Sequence, residues 1–402
     1  MTDTAAERRT SIVLLIAAVC LVAANMRPTI TALGPLIDQI GADTGMSVAA
    51  LGALAAVPLV AWALFSPIAH TLSRRYGQPR TLSWSLVVLL VGTLVRSIPG
   101  PIVSLWLGTA LIGMALAIVN VLMPAVVKRE FPGHVAAMTS VYTALLGGFG
   151  AIASGVAVPI SLIPIDGDPA GWRFALLISG GALLPFAIVA WWWAHRGEHH
   201  RYTRSPEHHG RTGIWTDRVA WLVAAFMGLQ SATFYMLVTW LAAISMSTGR
   251  SEVVAGIDVM VYQLFSIAGS LLLPFVYRGR IKRAVPALIP IIGLIGGLGL
   301  MLAPAGVPFW GATLGLFGGA SLAMAMTLVA QRARDHDASS ALSGMSQSVG
   351  YLVAAFGPVV FGGLHSLTGG WTAPLALLLA VIATLSVVGI FAGRERFVLE
   401  KR

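Results

Sequence analysis

One arginine stands in a part of the sequence where almost every neighbour is apolar. Arg27 lies about halfway along the apolar segment 11–40, and Pro28 follows it. An arginine at the centre of a membrane costs about 2.5–3.5 kcal/mol on insertion scales, so such a residue usually faces a water-filled cavity or a partner. A guanidinium at that depth can hold an anionic group through two parallel hydrogen bonds. The alternative is a structural arginine that binds carbonyl groups of neighbouring helices.

Pro28 predicts a local interruption of the helix that carries Arg27. It has no N–H group, so the Ala24 carbonyl loses its usual donor. The residue before a proline is also disfavoured in helical conformation. We therefore expect polar backbone groups near the guanidinium. Thr31 lies one turn beyond Arg27 on the same face, where its hydroxyl could contact a solute or bond to its own helix.

Four neutral polar side chains lie deep in other apolar stretches: Asn120, Tyr142, Gln230 and Gln347. An amide that faced lipid would leave its donors unpaired, which is costly, so Gln230 and Gln347 are expected to face the protein interior. Asn120 could read the hydrogen-bonding edge of a solute or bridge two helices. Tyr142 could offer its phenol to a cavity or pack at a helix contact.

Two apolar segments carry polar residues at every fourth position, which places them on one helix face. These sets are Ser343, Gln347 and Tyr351, and Asp258, Tyr262 and Ser266. A polar stripe on an apolar helix favours a cavity face over lipid. The alternative is hydrogen bonding between helices.

Asp258 is the best placed of the few acidic residues that reach an apolar segment. If transport is coupled to protons, Asp258 is the expected protein carrier of the proton, since desolvation favours a protonated carboxyl group. The alternative is a boundary residue at the mouth of its helix.

The composition predicts a membrane protein that is all α-helical. Of its 402 residues, 57% are hydrophobic and 10% are charged, whereas soluble domains carry about 25% charged residues. A helix needs about 20 apolar residues to cross a bilayer. Twelve such spans are predicted, at 11–40, 47–70, 80–98, 102–128, 134–163, 172–194, 217–243, 251–276, 284–303, 308–330, 340–366 and 370–392.

The cationic residues are concentrated on one side of the predicted membrane. Of the 26 Lys and Arg residues, 22 fall on the side of both termini and the central linker; the others are Arg27, Arg96, Arg173 and Arg250. This is the positive-inside pattern. It predicts a multi-pass protein of the cell inner membrane with both termini cytoplasmic, and it argues against nucleic acid as a partner.

The longest polar segment divides the spans into two sets of six. We predict an N-terminal bundle at 1–194, a cytoplasmic linker at 195–216 and a C-terminal bundle at 217–402. A weak internal repeat supports the division, because Lys128 aligns with Arg332 at an offset of 204 residues.

No pattern predicts a metal site, a cofactor or catalysis. The linker holds five histidines, at 195, 199, 200, 208 and 209, but their spacing matches no closed metal site. The glycine-rich nucleotide loop with its lysine is absent, as is any arrangement of a nucleophile with His and Asp. We therefore expect no cofactor, no metal and no enzyme activity.

The whole chain resembles the major facilitator superfamily. Leu72-Ser73-Arg74-Arg75-Tyr76-Gly77 is similar to its loop motif after the second helix, although Arg74 stands where the family has an Asp. Gly171-Trp172-Arg173 resembles the common opening of the sixth helix. The resemblance implies a fold of two pseudo-symmetric six-helix bundles with a cavity near the membrane midplane between them.

A closer resemblance is to the cyanate and 2-nitroimidazole transporter subfamily. The segments that carry it are 25–36 (NMRPTITALGPL), 120–129 (NVLMPAVVKR), 228–231 (GLQS), 347–351 (QSVGY) and 357–358 (GP). It implies a secondary transporter, monomeric, whose partners are a small-molecule substrate, possible coupling protons and the lipid bilayer.

The predicted function is transport of a small anionic or weak-acid solute by alternating access, with Arg27 holding the anionic group. No Asp or Glu occurs in the central thirds of the first, fourth, seventh, tenth or eleventh spans, so an anionic solute would complement the guanidinium. The first rival is multidrug efflux, which the 14 Met residues allow but a central arginine disfavours for cationic drugs. The second is a membrane sensor that binds a solute without moving it.

The topology can be tested by cysteine labelling. In a variant without Cys20, a cysteine at Ser205 should react with a membrane-impermeant thiol reagent only from the cytoplasmic side, and a cysteine at Gly167 only from outside. Labelling of position 205 but not of position 167 from outside would show that the predicted orientation is wrong.

Overall fold

The protein, a computed structural model, is described over residues 2–196, 212–334 and 336–400, and this part is nearly all helical. His199, His200, His208, His209 and Ser205 lie outside the described residues. Twelve helical segments in the described part are long and apolar enough to cross a membrane, as the sequence predicts. The α-helices are α1 (Thr2–Met26), α2 (Pro28–Thr31), α3 (Ile37–Thr44), α4 (Val48–Tyr76), α5 (Gln78–Ser97), α6 (Ile102–Glu130), α7 (Val135–Ser161), α8 (Gly171–Gly181), α9 (Leu184–Ala194), α10 (Arg218–Met246), α11 (Glu252–Val276), α12 (Val285–Leu302), α13 (Val307–Gln331), α14 (His336–Thr368) and α15 (Thr372–Ala392).

Two of the twelve spans are made of several helical pieces. The first span contains α1, α2, a 3₁₀ turn at Gly34–Leu36 and α3, and the sixth contains α8 and α9. The two described strands, β1 (Pro164–Ile165) and β2 (Asp168–Pro169), form a short antiparallel hairpin before α8. Prolines at residues 28, 35 and 185 lie at or near these breaks, as expected for residues that cannot donate to a helical carbonyl.

The chain folds into two compact units. Unit 1 contains Met1–Leu33 and Leu64–Ser205, and unit 2 contains Gly34–Ala63 and Pro206–Arg402. The boundary within the first span falls between Leu33 and Gly34, just after α2. The boundary therefore separates a part of the span that packs with α7, α8 and α9 from a part that packs with α10.

In unit 1, helices are joined by polar side chains that bind backbone carbonyls. Trp191 in α9 donates its indole N–H to the Pro79 carbonyl at 3.1 Å, and Gln78 donates to the Leu122 carbonyl at 3.2 Å. Such bonds satisfy carbonyl and amide groups that lipid cannot. They fix α5 against α6 and α9.

In unit 2, α11 and α13 meet along a face of small residues. A Cβ atom at Gly319 would lie 1.6 Å from the Ser266 carbonyl oxygen, and one at Gly315 would lie 2.2 Å from the Tyr262 carbonyl oxygen. Ser270 adds a hydrogen bond of 2.9 Å to the Gly319 carbonyl. Small residues let helix backbones approach closely, which is how membrane helices gain packing energy in lipid.

The last residues of the described chain fold against unit 2. Arg332, at the end of α13, donates to the Ala392 and Gly393 carbonyls that end α15. Glu395 pairs with Arg283 at 2.7 Å and with Lys282 at 3.0 Å. The hydrogen bond from Arg283, followed by that from Lys282, lowers the pKa of the Glu395 carboxyl to about 2. This ion pair is therefore complete above the usual pKa of the carboxyl group and is lost as the pH falls toward 2.

The α11–α13 contact predicts which glycines tolerate a methyl group. Gly319→Ala should lower the thermal midpoint in detergent, because overpacking a tight contact costs about 1–3 kcal/mol. Gly363→Ala in α14 is the matched control, since a Cβ atom there meets nothing within 4 Å. It should be neutral or mildly stabilising, because alanine favours helix more than glycine does. Equal midpoints for Gly319→Ala and the parent would contradict the contact.

Candidate functional site

Arg27 is the single residue between α1 and α2, and its side chain is partly exposed. The interruption expected beside Pro28 is therefore present, although Arg27 itself keeps helical angles (φ −92°, ψ −38°), against the expectation for a residue before proline. The Arg27 carbonyl accepts hydrogen bonds from the N–H groups of Ile30 and Thr31, both at 3.0 Å. The backbone at Arg27 thus starts a tight turn of four residues, Pro28–Thr31.

Thr31 joins this turn to α7. Its hydroxyl donates to the Gly150 carbonyl at 2.8 Å and lies 3.2 Å from the Arg27 carbonyl. The Thr31 carbonyl in turn accepts from the Ser154 hydroxyl at 3.0 Å. Thr31 is buried, and its hydroxyl is used between helices. The geometry favours a supporting role for Thr31 over direct contact with a solute.

Tyr142 reaches the same region from α7. Its hydroxyl lies 2.9 Å from the sulfur of Met26, the residue before Arg27, and its ring is buried. The phenol thus contacts the end of α1 beside the interruption. Arg27, Thr31 and Tyr142 are therefore brought together within unit 1.

Asn120 lies in the middle of α6, one turn before Pro124, and is partly exposed. Among the described residues none forms a hydrogen bond with its side chain. An amide offers two donors and one acceptor oxygen. The Asn120 amide therefore keeps its hydrogen-bonding groups for water or a solute.

The two predicted glutamines lie in unit 2 and differ in exposure. Gln230 is buried, as expected from its apolar surroundings, and its amide donates to the Ser231 hydroxyl at 2.8 Å. Gln347 in α14 is partly exposed and donates to the Ser343 hydroxyl at 3.1 Å. This bond links two members of the predicted polar stripe on α14.

Tyr351 continues that stripe and meets an aromatic cluster. Its ring packs edge-on against Trp62 with centroids 4.9 Å apart, and Trp62 also meets Tyr235 at 6.2 Å. Tyr351 is partly exposed, whereas the other two rings are buried. Edge-to-face contacts of this kind hold rings in fixed orientations.

Tyr262 lies in the α11–α13 contact and not on an exposed face. It is fully buried, and its hydroxyl would lie 3.3 Å from a Cβ atom placed on Gly318 of α13. Its ring also lies 5.9 Å from that of Phe234. The polar stripe on α11 therefore favours the alternative of helix packing, because α13 offers glycines to it. The sequence pattern gave the face but not its neighbour.

Asp258 on the same helix is held in an ion pair. Its carboxylate accepts from Arg250 Nε at 2.8 Å and Nη2 at 2.9 Å, and from the Ser245 hydroxyl at 2.5 Å. Asp258 is buried while Arg250 is partly exposed. This two-point pairing joins the end of α10 to α11 and favours the boundary alternative for Asp258.

One buried cation was assigned to a helix end by the sequence pattern. Arg96 in α5 is 2% exposed and donates from Nη1 to the Thr29 carbonyl at 2.6 Å. Arg96 falls inside the predicted span 80–98, and this position could have indicated a buried side chain. Its assignment to one side of the membrane left its depth in the span out of account.

Two observations limit other kinds of site. Among the described residues, no group of three His, Cys, Asp or Glu side chains is arranged to hold a metal ion. A groove of about 800 Å³ in unit 1 is lined by apolar residues together with Tyr76, Arg80, Thr81, Ser83, Trp84, Ser85 and Trp192. It contains none of the predicted site residues, and exposed Trp84 and Trp192 lie at its rim.

The sequence matches the Major Facilitator Superfamily over residues 13–343. The chain is 38% identical over 390 residues to an uncharacterized transporter of Bacillus subtilis, covering 96% of this chain and 95% of the relative. It is 35% identical over 388 residues to the 2-nitroimidazole transporter of Escherichia coli, covering 96% of each. It is 26% identical to the cyanate transport protein CynX of Escherichia coli, covering 94% of this chain and 96% of the relative.

Solved structures share the fold. A bacterial homolog of the human lysosomal transporter Spinster, in an inward-facing unoccupied conformation, superposes with a TM-score of 0.79 at 13% sequence identity. The match covers 94% of this chain and 96% of that chain. The twelve spans, the family match and the near full-length relatives agree. The chain therefore belongs to the Major Facilitator Superfamily and is a multi-pass membrane transporter similar to the 2-nitroimidazole and cyanate transporters within it.

Proposed function

We propose that the chain is a secondary transporter of a small anionic or weak-acid solute, moved by alternating access, and that Arg27 binds the anionic group. The observation that carries the proposal is the partly exposed Arg27 at a break within a membrane span. Burying a cation at membrane depth costs free energy, so such residues usually face a water-filled cavity or a partner. A planar guanidinium offers two parallel donors to a carboxylate or a similar anion.

The amides are the proposed second component of recognition. Asn120, Gln347 and Tyr351 are partly exposed, so they can reach a solute. Gln230 would hold its neighbours in place, because its amide is buried and bonded to Ser231. A neutral amide can distinguish a solute by donor and acceptor pattern without competing for its charge.

The chemistry of the relatives is compatible with this class of solute. One relative carries the name of a nitroimidazole and another that of cyanate. A further relative, matched over 25% of this chain, is named as a putative anionic 4-hydroxy-benzoate permease. These compounds are small and anionic or able to lose a proton, which is the class that an arginine site would select.

Orientation and organisation complete the proposal. The cationic loops place both termini and the 195–216 linker in the cytoplasm, with the protein in the cell inner membrane. Sequence division then gives bundles at 1–194 and 217–402. The protein acts as a monomer on a small molecule, with protons as a candidate coupling ion.

The central test is the ligand response of Arg27 variants. Small weak acids, with cyanate and 2-nitroimidazole among them, are first screened for those that raise the thermal midpoint of the parent. Arg27→Ala should then weaken binding about 30-fold or more, because truncating one partner of a desolvated charge pair costs about 2–5 kcal/mol. Arg27→Lys should recover little of it, since lysine lacks the planar fork.

Arg80→Ala is the matched control, because Arg80 is an exposed arginine of the same unit. It should bind as the parent does. Uptake into proteoliposomes separates transport from sensing, because a sensor binds without accumulating the solute. If Arg27→Ala bound a transported anion as tightly as the parent, the anion site would lie elsewhere.

Asp258 supplies an independent prediction on coupling. Because its carboxylate is paired with Arg250 at two points, we expect Asp258→Asn to keep accumulation driven by a pH gradient. The variant should instead lose stability, by about 1–3 kcal/mol, because Arg250 and Ser245 keep one neutral amide oxygen in place of a two-oxygen carboxylate. Loss of pH-driven accumulation with unchanged stability would restore Asp258 as the proton carrier.

A further inference from the structure

Arg96 is buried in unit 1 and bonds to α2. Its Nη1 donates to the Thr29 carbonyl at 2.6 Å, whereas Nε and Nη2 have no hydrogen-bond partner within the part of the chain that the structure describes. Three buried hydroxyls of the same unit, on Thr29, Ser97 and Ser179, are likewise without a described partner. Burying a guanidinium is costly, so its position calls for a reason other than packing.

The Thr29 carbonyl is available because the helix ends there. In a regular α-helix it would accept from the N–H group of Leu33. Here the Leu33 N–H donates to Ile30 at 3.2 Å, as the chain tightens toward the 3₁₀ turn at Gly34–Leu36. A carbonyl left without a donor inside a membrane costs several kcal/mol. Arg96 supplies that donor to the carbonyl of Thr29, which lies two residues after Arg27.

The backbone around Arg96 leaves it little freedom. A Cβ atom on Gly108 of α6 would lie 2.4 Å from the Arg96 nitrogen and 2.6 Å from its Cβ. On the other side, a Cβ atom on Gly180 of α8 would lie 2.8 Å from Thr29 Cγ2. Gly108 thus lets α6 approach Arg96 closely, and Gly180 lets α8 approach Thr29 closely. The bond between them joins two positions that are each fixed by packing.

The turn that carries Arg27 is therefore held from two sides. From α7, Ser154 and Gly150 bind Thr31 at 3.0 and 2.8 Å. From α5, Arg96 binds Thr29. We propose that Arg96 is a positioning residue, which fixes the Pro28–Thr31 turn so that the Arg27 guanidinium stays directed at the ligand. Arg96 does this without touching the ligand, and its effect on affinity rests on the proposed function of Arg27.

The position of Arg96 separates the two arginines by what each requires. Arg27 needs the fork of a guanidinium, because an anion takes two parallel donors. Arg96 uses one donor on one carbonyl, and a lysine ammonium can also supply one donor. Substitution by lysine should therefore fail at Arg27 and succeed, at least in part, at Arg96.

Amide hydrogen exchange of the full-length protein tests the clamp without any ligand. In Arg96→Met, which removes every side-chain donor, peptides that cover residues 28–34 should exchange about tenfold faster, the factor expected when a hydrogen bond from a charged donor is lost. Peptides from α10 to α15 should exchange as in the parent. Arg96→Lys should restore slow exchange, and Arg80→Met on the same helix should change nothing. Unchanged exchange at 28–34 in Arg96→Met would overturn the proposal.

Binding of 2-nitroimidazole or cyanate, as the named probes, then links the clamp to Arg27. Arg96→Met should weaken the binding of either probe about tenfold in the parent but add no loss to Arg27→Ala, because Arg96 acts through Arg27. A further loss in the Arg27→Ala background would mean that Arg96 contacts the anion itself, which would overturn the positioning role. If neither probe binds the parent, the substrate part of the proposed function fails, while exchange at 28–34 still decides the clamp. If Arg96→Met does not fold, Arg96→Lys decides it: parent-like exchange supports the single-donor clamp, and fast exchange contradicts it.

Discussion

The interruption of the first span at Arg27 and Pro28 is the constraint on which the site depends. A continuous helix would satisfy its own backbone carbonyls and would offer no free acceptor to Arg96 or Ser154. The proline removes one donor, and the chain restarts in a turn of four residues. The carbonyls set loose by that turn must find partners, and they find them in α5 and α7. The break thereby joins three helices around one guanidinium.

Both units join their helices in two ways, by polar side chains that bind backbone carbonyls and by glycines that let helices approach closely. Around the break, Arg96 and Ser154 each donate to a carbonyl of α2 or its flank. In unit 2, glycines of α13 let α11 approach until their backbones touch. Both devices suit a membrane, where burial of apolar area between helices gains little over lipid. The bonds to carbonyls hold the turn that follows Arg27, and the glycines bring α11 and α13 into close contact.

Much of this could be predicted from the sequence, and the exceptions have one cause. Length, apolar content and the concentration of Lys and Arg in the loops of one side predict the twelve spans, and Pro28 predicts the interruption. The buried role of Arg96 could not be predicted, because its partner is a carbonyl 67 residues away in the chain. The neighbour of Tyr262 could not be predicted for the same reason: a period of four gives its helix face, but only the glycines of α13 show that this face packs against a helix. A sequence pattern predicts which helix face a residue occupies and how deep it lies in the membrane, but it does not predict which residues it contacts.

A structure determined with a transported anion bound would test the account most directly. The account predicts the anionic group within about 3 Å of two guanidinium nitrogens of Arg27, the spacing of a charge-assisted bidentate pair. It also predicts that the bond from Arg96 to the Thr29 carbonyl is retained in that state. An anion bound away from Arg27, with the guanidinium held only by protein groups, would contradict the account and return Arg27 to a structural role.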